Sequence, residues 1–403
     1  MEEVENSLEG KIKSVAGKFL KISSKKEIEL ISHFDTDGIS SATIMIQALK
    51  KLDRKFSLTI LKSLNKEFIM NLPKNKLILF LDLASASFEH IKRAELKDVF
   101  IIDHHEVTQE IPENIEIINS ELHQKQKISA SGLTYLFCKE IDETNKRFAK
   151  FAVLGMIGDL LEKELDKLNH EILDDAEIQR KRGLLIYPST RPINKVLEFC
   201  SAPYIPEITG NPKAAHKDII GDIFLIKLFN KLEDAREVSA KINACSRLGR
   251  SDIALQLCME IPKAKKESEL IHARYKQLII SGLKFISESE KISGKGFVII
   301  NARDQIRDTM IGTMASILSA SALYEEGTII TTMAYYENKI KISARSVGKN
   351  GRNLREILDQ VVKIVGGEVG GHKFAAGCNI LKDKEEEFTT LLRKNLEVEL
   401  VKI

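Results

Sequence analysis

The sequence predicts an α/β protein with a mainly parallel sheet in its N-terminal part, a helical middle region and a second α/β region after it. Two observations predict this class. Between Glu27 and Asn119, short runs rich in Ile, Leu, Val and Phe alternate with helical patterns, which is typical of parallel strands covered by helices on both faces. After a long helical stretch, the same alternation returns from Lys295 onward. A chain of 403 residues has room for two or three domains.

The composition is that of an ordinary folded protein without a strong overall charge. Hydrophobic residues make up 43% and charged residues 30%, and 61 Lys and Arg against 58 Asp and Glu leave a net charge of +3. Any nucleic-acid surface must therefore be local. The 5 cysteines form no C-x-x-C pair, so we expect reduced thiols in a cytosolic protein. The opening MEEVENSLEG is polar and no apolar run approaches membrane-spanning length, so neither a signal peptide nor a membrane helix is expected.

Three strands predicted in the N-terminal region run directly into acidic or imidazole side chains. These side chains follow the runs EIELIS, KLILFL and VFII and are, in chain order, His33, Asp35, Asp37, Asp82, Asp103, His104 and His105. Ligands of parallel sheets bind beyond the carboxyl ends of the strands, so we expect these groups to converge. Alternate residues of an extended chain share a face, which predicts that His33, Asp35 and Asp37 point the same way.

The helical pattern NKRFAKFAVLGMIGDLLEK should bring one more carboxylate to the same place. Gly155 and Gly158 would let this helix approach its neighbours closely, and Asp159 emerges from an otherwise apolar face. Because a buried carboxylate without a partner is strongly destabilising, Asp159 needs a cation.

From Glu164 to Glu288 the pattern is mostly helical, broken at YPSTRP and SAPYIPEITGNP, and the stretch from Lys263 to Ser287 predicts a long connecting helix. The region after it predicts the strands KGFVIINA, TIITTMAY and KIKISARSV, helices over 310–321 and 353–365, a glycine-rich turn, and a last strand followed by a helix. This order indicates a second α/β domain.

The donor set of the N-terminal region suits a hard divalent cation. Carboxylate oxygens mixed with a few imidazoles favour Mn²⁺ or Mg²⁺, whereas zinc would favour cysteine or more histidine. One ion needs about three protein ligands, and this set is large enough for two ions. Two such ions, roughly 3.5–4 Å apart, activate a water and stabilise an in-line attack on phosphorus, which predicts phosphoester hydrolysis.

Each residue also has an ordinary structural interpretation when it is considered alone. Asp37 or Ser40 could cap a helix after an Asp37-Gly38 turn, and Asp82 could cap a helix beginning near Ser85. The two histidines of IDHHE could lie on a surface loop. The metal site is favoured because one sheet edge collects all of these groups without a matching run of positive charge.

The motifs HFDTDGISSA, LDLA, IDHHE and GMIGD, in this order, resemble the DHH phosphoesterase superfamily, whose four N-terminal motifs hold two Mn²⁺ or Mg²⁺ ions. INACSRLGRSDIALQL is similar to a phosphate-binding segment of the RecJ family. IGTMASILSA, KISARS and GGEVGGHKFAAG resemble successive signatures of the DHHA1 domain. The length and helical middle are similar to archaeal RecJ-like exonucleases. The resemblance implies a DHH catalytic domain over 1–190, a helical middle over 191–290 and a DHHA1 substrate-binding domain over 291–403.

The resemblance also implies a role for each residue of the motifs. The metal ligands it implies are His33, Asp35, Asp37, Asp82, His104 and Asp159. Among these, Asp82 would bridge the two ions. His105 would lie close to the scissile phosphate, and Asp103 would accept the free N–H of an imidazole and thereby fix its tautomer.

Substrate-binding residues are expected outside the metal motifs. The resemblance implies phosphate contacts by Asn243 and Arg247. In KISARS, the period of a strand places Ser343 and Arg345 on one face, where the planar fork of an arginine can match phosphate oxygens. The glycine-rich turn GGEVGGHKFAAG would offer backbone N–H groups to an anion. Its contact residues would be Gly370, Gly371 and His372.

The leading functional hypothesis is a metal-dependent exonuclease that degrades single-stranded DNA or RNA to nucleoside monophosphates. One alternative is a phosphodiesterase for nano-oligonucleotides or cyclic dinucleotides, or a phosphatase for phosphoadenosine phosphate, because smaller relatives with these two domains do this; the segment from Asn243 to Arg247 favours the polymer. Another alternative is a replisome scaffold related to RecJ, although every expected carboxylate is present. The resemblance further implies replication or repair proteins, such as a GINS–helicase complex, as partners.

Overall fold

The computed structural model describes residues 7–123, 126–163, 165–184, 220–321 and 323–397. The helices are α1 Leu8–Ser23, α2 Thr36–Lys51, α3 Lys66–Met70, α4 Phe88–Arg93, α5 Ala130–Ile141, α6 Ala149–Gly158, α7 Lys167–Asp175, α8 Ala235–Arg247, α9 Ser251–Cys258, α10 Pro262–Glu288, α11 Asp308–Ser319, α12 Leu354–Val365 and α13 Glu385–Glu397. The strands are β1 Ile28–His33, β2 Phe56–Leu61, β3 Leu77–Leu81, β4 Val99–Asp103, β5 Ile115–Asn119, β6 Gln179–Leu184, β7 Ile220–Leu228, β8 Lys231–Asp234, β9 Ile292–Gly294, β10 Phe297–Asn301, β11 Ile329–Tyr336, β12 Lys339–Ser346, β13 Glu368–His372 and β14 Ala375–Leu381. The predicted breaks at YPSTRP and SAPYIPEITGNP, and Cys200, lie outside the described residues.

The N-terminal sheet has five parallel strands in the order β2-β1-β3-β4-β5, which confirms the predicted class. Its register brings the ends of the middle strands to one level, because Ser32 pairs with Leu81 and Leu81 pairs with Ile102. The next residue along each strand is therefore His33, Asp82 or Asp103. Three strands deliver their polar groups to the same edge.

Both faces of the middle strands of this sheet are buried, as continuous apolar runs predict, whereas the edge strand β2 is half-buried. Alternate residues separate into two cores: Leu79 and Leu81 pack on one side, and Ile78 and Phe80 pack on the other. Every residue of β3 and β4 is buried.

The helices on one side of the sheet are tied together by a polar network at Asp175, near the end of α7. Tyr135 donates to the Asp175 carboxylate at 2.6 Å, Lys139 at 2.5 Å, and Lys146 lies 2.8 Å from it. Burial raises the pKa of Asp175, but the hydrogen bonds from Lys139, Lys146 and Tyr135 outweigh this and lower it to about 2.

The middle of the chain differs in part from the mostly helical expectation. The long helix is confirmed as α10, but β6, β7 and β8 form a three-stranded sheet that was not predicted. In β7 the buried side chains Phe224, Ile226 and Leu228 alternate with more exposed ones, and this two-residue period is that of a strand. The period was missed because the apolar residues of β7 are dense enough to suit a buried helix as well.

The C-terminal sheet has the order β13-β14-β12-β11-β10-β9 and is mixed: β10 and β11 are parallel, and its other pairs are antiparallel. By contacts the chain divides into two compact units, Met1–Gly183 with Asp222–His272, and Leu184–Gly221 with Ala273–Ile403. The predicted division into three regions stays a prediction. None of the described helices combines the length and apolar character needed to cross a bilayer. The described cysteines are buried and free; they are Cys138, Cys245, Cys258 and Cys378.

Candidate metal centre and substrate site

The first motif forms the junction between β1 and α2. Asp35 is the N-cap of α2, and its Oδ1 accepts a hydrogen bond from the Gly38 N–H at 3.1 Å. A Cβ at Gly38 would lie 2.2 Å from the carbonyl oxygen of His33, so only glycine fits. The expectation of an extended chain from His33 to Asp37 is wrong, because β1 ends at His33 and the helix begins at Thr36. The cap is Asp35 and not Asp37.

Asp37 is buried in the first turn of α2 and is held by another helix. Its Oδ2 accepts from Ala130 N–H at 2.6 Å and its Oδ1 from Ser131 N–H at 3.0 Å, both at the start of α5. A Cβ at Gly155 would lie 2.1 Å from Asp37 Oδ1, and one at Gly158 would lie 2.8 Å from a carbon of a neighbouring α2 side chain. The predicted close approach of the glycine helix is confirmed.

Asp82 follows β3 directly and is 2% exposed. Its φ of 58° is in the left-handed region, which costs a residue other than glycine on the order of 1 kcal/mol. Its Oδ2 lies 3.3 Å from His33 Nδ1, and its Oδ1 lies 3.4 Å from His104 Nε2. Asp82 is not a helix cap, since α4 begins at Phe88 with Ser87 as its N-cap.

Three groups of potential ligands overlap at Asp82 and His104. One joins Asp82 with Asp35 and with His33, whose Nδ1 lies 3.1 Å from Asp35 Oδ2. A second contains His104, whose Nε2 lies 3.4 Å from Asp159 Oδ2 and 3.9 Å from Asp37 Oδ2, and a third joins Asp82 and His104 with His105. In each group one ligand atom per residue lies within 4.8 Å of the others. We call the first two groups together the acid–imidazole cluster; its members are His33, Asp35, Asp37, Asp82, His104 and Asp159.

The protonation equilibria show excess negative charge in the cluster. Burial and the charge of Asp82 raise the pKa of Asp37 to about 6. Burial and the charges of Asp37, Asp35 and Asp82 raise the pKa of Asp159 well above its ordinary value. Burial lowers the pKa of His104, but Asp82 and Asp37 outweigh it and raise that pKa to about 10. Crowded carboxylates bind protons when nothing else neutralises them.

The cluster fits a divalent cation. Asp82 Oδ1 and Asp159 Oδ2 are buried and accept no hydrogen bond from any described residue. Buried oxygens of this kind need a partner, and a cation supplies one. Four carboxylates with two imidazoles form a donor set that Mn²⁺ and Mg²⁺ accept.

Asp103 ends β4 and orients the second histidine of the DHH triplet. Its Oδ1 lies 2.7 Å from His105 Nδ1 and accepts from the backbone N–H of His104 at 2.8 Å. Burial lowers the pKa of His105, but Asp103 outweighs it and raises that pKa to about 9. The His105 side chain is 58% exposed, whereas that of His104 is 21% exposed. The two imidazoles thus have different surroundings.

Asn119 was not singled out from the sequence, although it ends β5 beside this site. It is fully buried, and its side-chain amide donates to Ser85 Oγ and to the carbonyl oxygen of His105, both at 2.9 Å. The sequence did contain an indication, because Asn119 is a polar residue at the end of the apolar run IEII, as Asp103 is at the end of VFII. Amides are common at strand ends, which is why it did not stand out.

The structure brings Asn243 to the cluster. Its Oδ1 accepts a hydrogen bond from Thr36 N–H at 3.2 Å, between Asp35 and Asp37. Arg247 lies one turn further along α8, so it occupies the same side of that helix. This hydrogen bond attaches α8 to the first motif, at the start of α2.

In the second unit, β12 shows the predicted alternation. Ile342 and Ala344 are buried in the core, and the other face turns Ser343 and Arg345 toward α11. A Cβ at Gly312 of α11 would lie 3.4 Å from Ser343 Oγ and 3.8 Å from an Arg345 guanidinium nitrogen. Arg345 Nε also donates to Ser316 Oγ at 3.1 Å, which fixes the plane of the guanidinium.

The glycine-rich segment is a hairpin and not the expected nest. Gly370, Gly371 and His372 belong to β13, an edge strand that pairs with β14. All three are exposed. Of these residues, Gly371 requires a glycine: its φ is 106°, and a Cβ would lie 2.4 Å from the carbonyl oxygen of Ala375. Because β13 is the edge strand of the sheet, it still exposes backbone groups that a ligand can bind.

Comparison with known families matches two parts of the chain. Residues 27–158 match the N-terminal domain of the DHH family, and residues 294–397 match the DHHA1 domain. The first match contains every member of the acid–imidazole cluster except Asp159, which follows its last residue, and the second contains β12 and the hairpin.

Relatives match nearly the whole chain. An uncharacterized protein of Methanocaldococcus jannaschii is 29% identical, covering 90% of this chain and 91% of that protein. The single-stranded-DNA-specific exonuclease RecJ of Bacillus subtilis is 26% identical, covering 89% of this chain and 44% of its own length. This chain therefore spans less than half of that RecJ.

Solved structures share the fold. RecJ from Thermus thermophilus in complex with Mn²⁺ superposes with a TM-score of 0.66 at 19% identity, over 96% of this chain and 55% of that one. CDC45 from Entamoeba histolytica superposes with a TM-score of 0.67 at 10% identity, over 97% of this chain and 99% of that one.

Proposed function

Because this chain belongs to the DHH family, carries a DHHA1 domain and is homologous to RecJ, we propose that it is a divalent-metal-dependent exonuclease. It hydrolyses phosphodiester bonds of single-stranded DNA or RNA to nucleoside monophosphates. The observation that carries the proposal is the acid–imidazole cluster at the ends of three parallel strands, in which two ligand groups share the buried Asp82 and His104 joins a third group to it. We further propose that the cluster holds two ions, Mn²⁺ or Mg²⁺.

Each member of the cluster has a proposed role. Asp35 would hold one ion together with His33, and Asp37 and Asp159 would hold the other together with His104; Asp82 would contribute to both. Cations held there would supply Lewis-acid polarisation of the phosphate and activation of water for in-line attack.

Backbone and side-chain groups of the protein orient two of the residues that take part in the proposed reaction, Asp37 and His105. The two backbone N–H groups that bind Asp37 fix its orientation, so its oxygens need no reorganisation when an ion binds. Asp103 binds Nδ1 of His105, which leaves Nε2 to stabilise charge on a phosphate oxygen.

Residues outside the cluster are proposed to bind substrate. Asn243 is attached to Thr36 beside the cluster, and Arg247 follows it on α8. In the DHHA1 domain, Arg345 presents a guanidinium fixed by Ser316, which suits a phosphate group. The exposed edge of the hairpin at Gly370, Gly371 and His372 is proposed as a further contact with substrate.

Single strands labelled at the 5′ or the 3′ end, each as DNA and RNA with Mn²⁺ or Mg²⁺, test the proposal. Release of labelled mononucleotides from one end would support it and give the polarity. Asp82→Asn should remove activity while leaving the fold intact, because asparagine tolerates the left-handed backbone. Asp53→Asn is the matched control: Asp53 has a φ of 52° but lies outside the cluster. Cleavage by the Asp82 variant at the wild-type rate would refute the metal assignment.

A series of strand lengths separates the polymer proposal from the alternative substrates. An enzyme for nano-oligonucleotides loses activity as the strand grows, whereas the proposed exonuclease keeps or gains it. Absence of hydrolysis on every strand and small phosphodiester, with folding and metal binding intact, would favour a scaffold within a replication complex.

A further inference from the structure

One buried amide joins the two halves of the His105–Asp103 pair. Asn119 is 0% exposed and stands directly opposite Asp103 in the parallel register of β4 and β5. Its amide nitrogen donates to the His105 carbonyl oxygen and to Ser85 Oγ, and its Oδ1 accepts from Glu121 N–H at 2.8 Å. Both amide protons and the carbonyl oxygen of this side chain are therefore engaged.

The network closes through Ser85. The backbone N–H of Ser85 donates to Asp103 Oδ2 at 3.1 Å, and Asp103 Oδ1 contacts His105 Nδ1 at 2.7 Å. Asn119 thus fixes His105 twice: directly at its backbone carbonyl, and indirectly through Ser85 and Asp103. A side chain held at both its backbone and its ring loses little entropy when it meets a substrate.

His104 is fixed in a different way. Its imidazole contacts Asp82 and Asp159, and no hydrogen bond joins its side chain to Asn119 among the described residues. The rings of His104 and His105 are tilted by 58° with their centroids 4.6 Å apart. Loss of the Asn119 contacts should therefore disturb His105 more than the ligand beside it.

We propose that Asn119 is a positioning residue for the hydrolytic reaction. It clamps the His105 carbonyl and the Ser85 hydroxyl so that the His105 imidazole is presented to the substrate phosphate in one orientation. The inference rests on the proposed function, in which His105 faces the phosphate.

The test compares Asn119→Asp with the wild-type protein. Aspartate keeps the size and the acceptor for Glu121 N–H, but it has no donor for the His105 carbonyl oxygen. With Mn²⁺ and a labelled single-stranded oligonucleotide, we expect kcat to fall about 10- to 100-fold while KM and the Mn²⁺ dissociation constant stay within about threefold. Unchanged kcat in a folded Asn119→Asp protein would overturn the proposal.

Asn145→Asp is the matched control. Asn145 is equally buried and its amide donates to the Cys138 carbonyl oxygen at 2.8 Å, away from the cluster. This variant should lose thermal stability and keep kcat. If both variants lose kcat and Mn²⁺ affinity together, Asn119 has only a structural role and the proposal fails.

A spectroscopic measurement separates this inference from the proposed function. In Mg²⁺-loaded protein labelled with ¹⁵N-histidine, Asn119→Asp should shift or split the ring-nitrogen signals of His105 and leave those of His104 in place. This holds even if no strand is hydrolysed, in which case the proposed function fails and the signals alone decide. His105 signals identical to those of the wild type would refute the positioning role. If Asn119→Asp does not fold, Ser85→Ala, which removes the hydroxyl acceptor, is measured in the same way.

Discussion

Gly155→Ala tests whether the packing of α6 sets the geometry of a proposed metal ligand. The added methyl group would stand 2.1 Å from Asp37 Oδ1 and 2.0 Å from Ser131 Oγ, far inside van der Waals contact. Asp37 cannot simply move aside, because two backbone N–H groups of α5 hold it. Either α6 shifts, and Asp159 with it, or the Asp37 carboxylate turns away. Both outcomes displace a residue that is proposed to hold the same ion.

The structure sets the size of the effect. Overpacking a close contact costs about 1–3 kcal/mol of folding stability, and losing one charge-assisted hydrogen bond to Asp37 costs about 1.5–3 kcal/mol. Displacing a ligand or the groups that orient it weakens metal binding by roughly 10- to 100-fold. We therefore expect a lower melting temperature and a clearly weaker Mn²⁺ affinity.

Titration calorimetry with Mn²⁺ and thermal unfolding with and without the ion measure these changes. Gly17→Ala is the control, since Gly17 lies on α1 with no atom within 4 Å of an added Cβ. It should keep Mn²⁺ affinity and gain up to about 1 kcal/mol, because alanine is the better helix former. Wild-type Mn²⁺ affinity and stability in Gly155→Ala would refute the proposed dependence of Asp37 on this packing.

Three other predictions concern the metal, the helical packing and the DHHA1 domain. Removing divalent ions with EDTA should lower the melting temperature, because the cluster carboxylates then repel one another; Mn²⁺ or Mg²⁺ should restore it and an equal charge of Na⁺ should not. Asp175→Asn should destabilise the protein by about 1–2 kcal/mol near neutral pH. The pKa of Asp175 is lowered to about 2 in the folded protein, so this stabilisation is complete above the unfolded pKa of about 3.9 and is lost as the pH falls toward 2. In urea titrations, the stabilities of the wild-type protein and of Asp175→Asn should therefore converge near pH 2. A stability difference that does not change with pH would contradict the assignment to the ionised carboxylate. Arg345→Lys keeps the positive charge but loses the planar guanidinium that Ser316 holds in place. The KM for an oligonucleotide should therefore rise roughly tenfold while the Mn²⁺ affinity stays unchanged. An unchanged KM would show that Arg345 does not contact the substrate.

The convergence of polar groups could be predicted because it follows from strand direction. Parallel strands end at one edge, so residues directly after buried runs, such as His33, Asp82 and Asp103, must meet wherever the strands are neighbours. The groups that orient them could not be predicted in this way. The N–H groups that bind Asp37 lie 93 and 94 residues further along the chain, and no local pattern carries that pairing.

Two segments were misjudged because the local pattern was ambiguous. The repeated glycines of GGEVGGHKFAAG indicate backbone freedom, but β14 supplies a pairing partner and draws Gly370 and Gly371 into an edge strand. The run at β7 has apolar residues dense enough to suit a buried helix, and only its two-residue burial period identifies a strand. In both cases tertiary pairing decided the conformation.

The strand order explains why the cluster forms where it does. In the order β2-β1-β3-β4-β5, the connection after β1 leads to β2 on one side, and the connection after β3 leads to β4 on the other side. The two connections therefore diverge between β1 and β3, which is where parallel sheets bind their ligands. His33 ends β1 and Asp82 follows β3, so the two strands at this point each supply a polar residue, and the two side chains lie 3.3 Å apart. The left-handed backbone of Asp82 places its strain at the residue that contacts both His33 and His104. A strained carboxylate is retained at such a point only if the surrounding fold compensates for it, and the paired strands on either side of β3 provide that support.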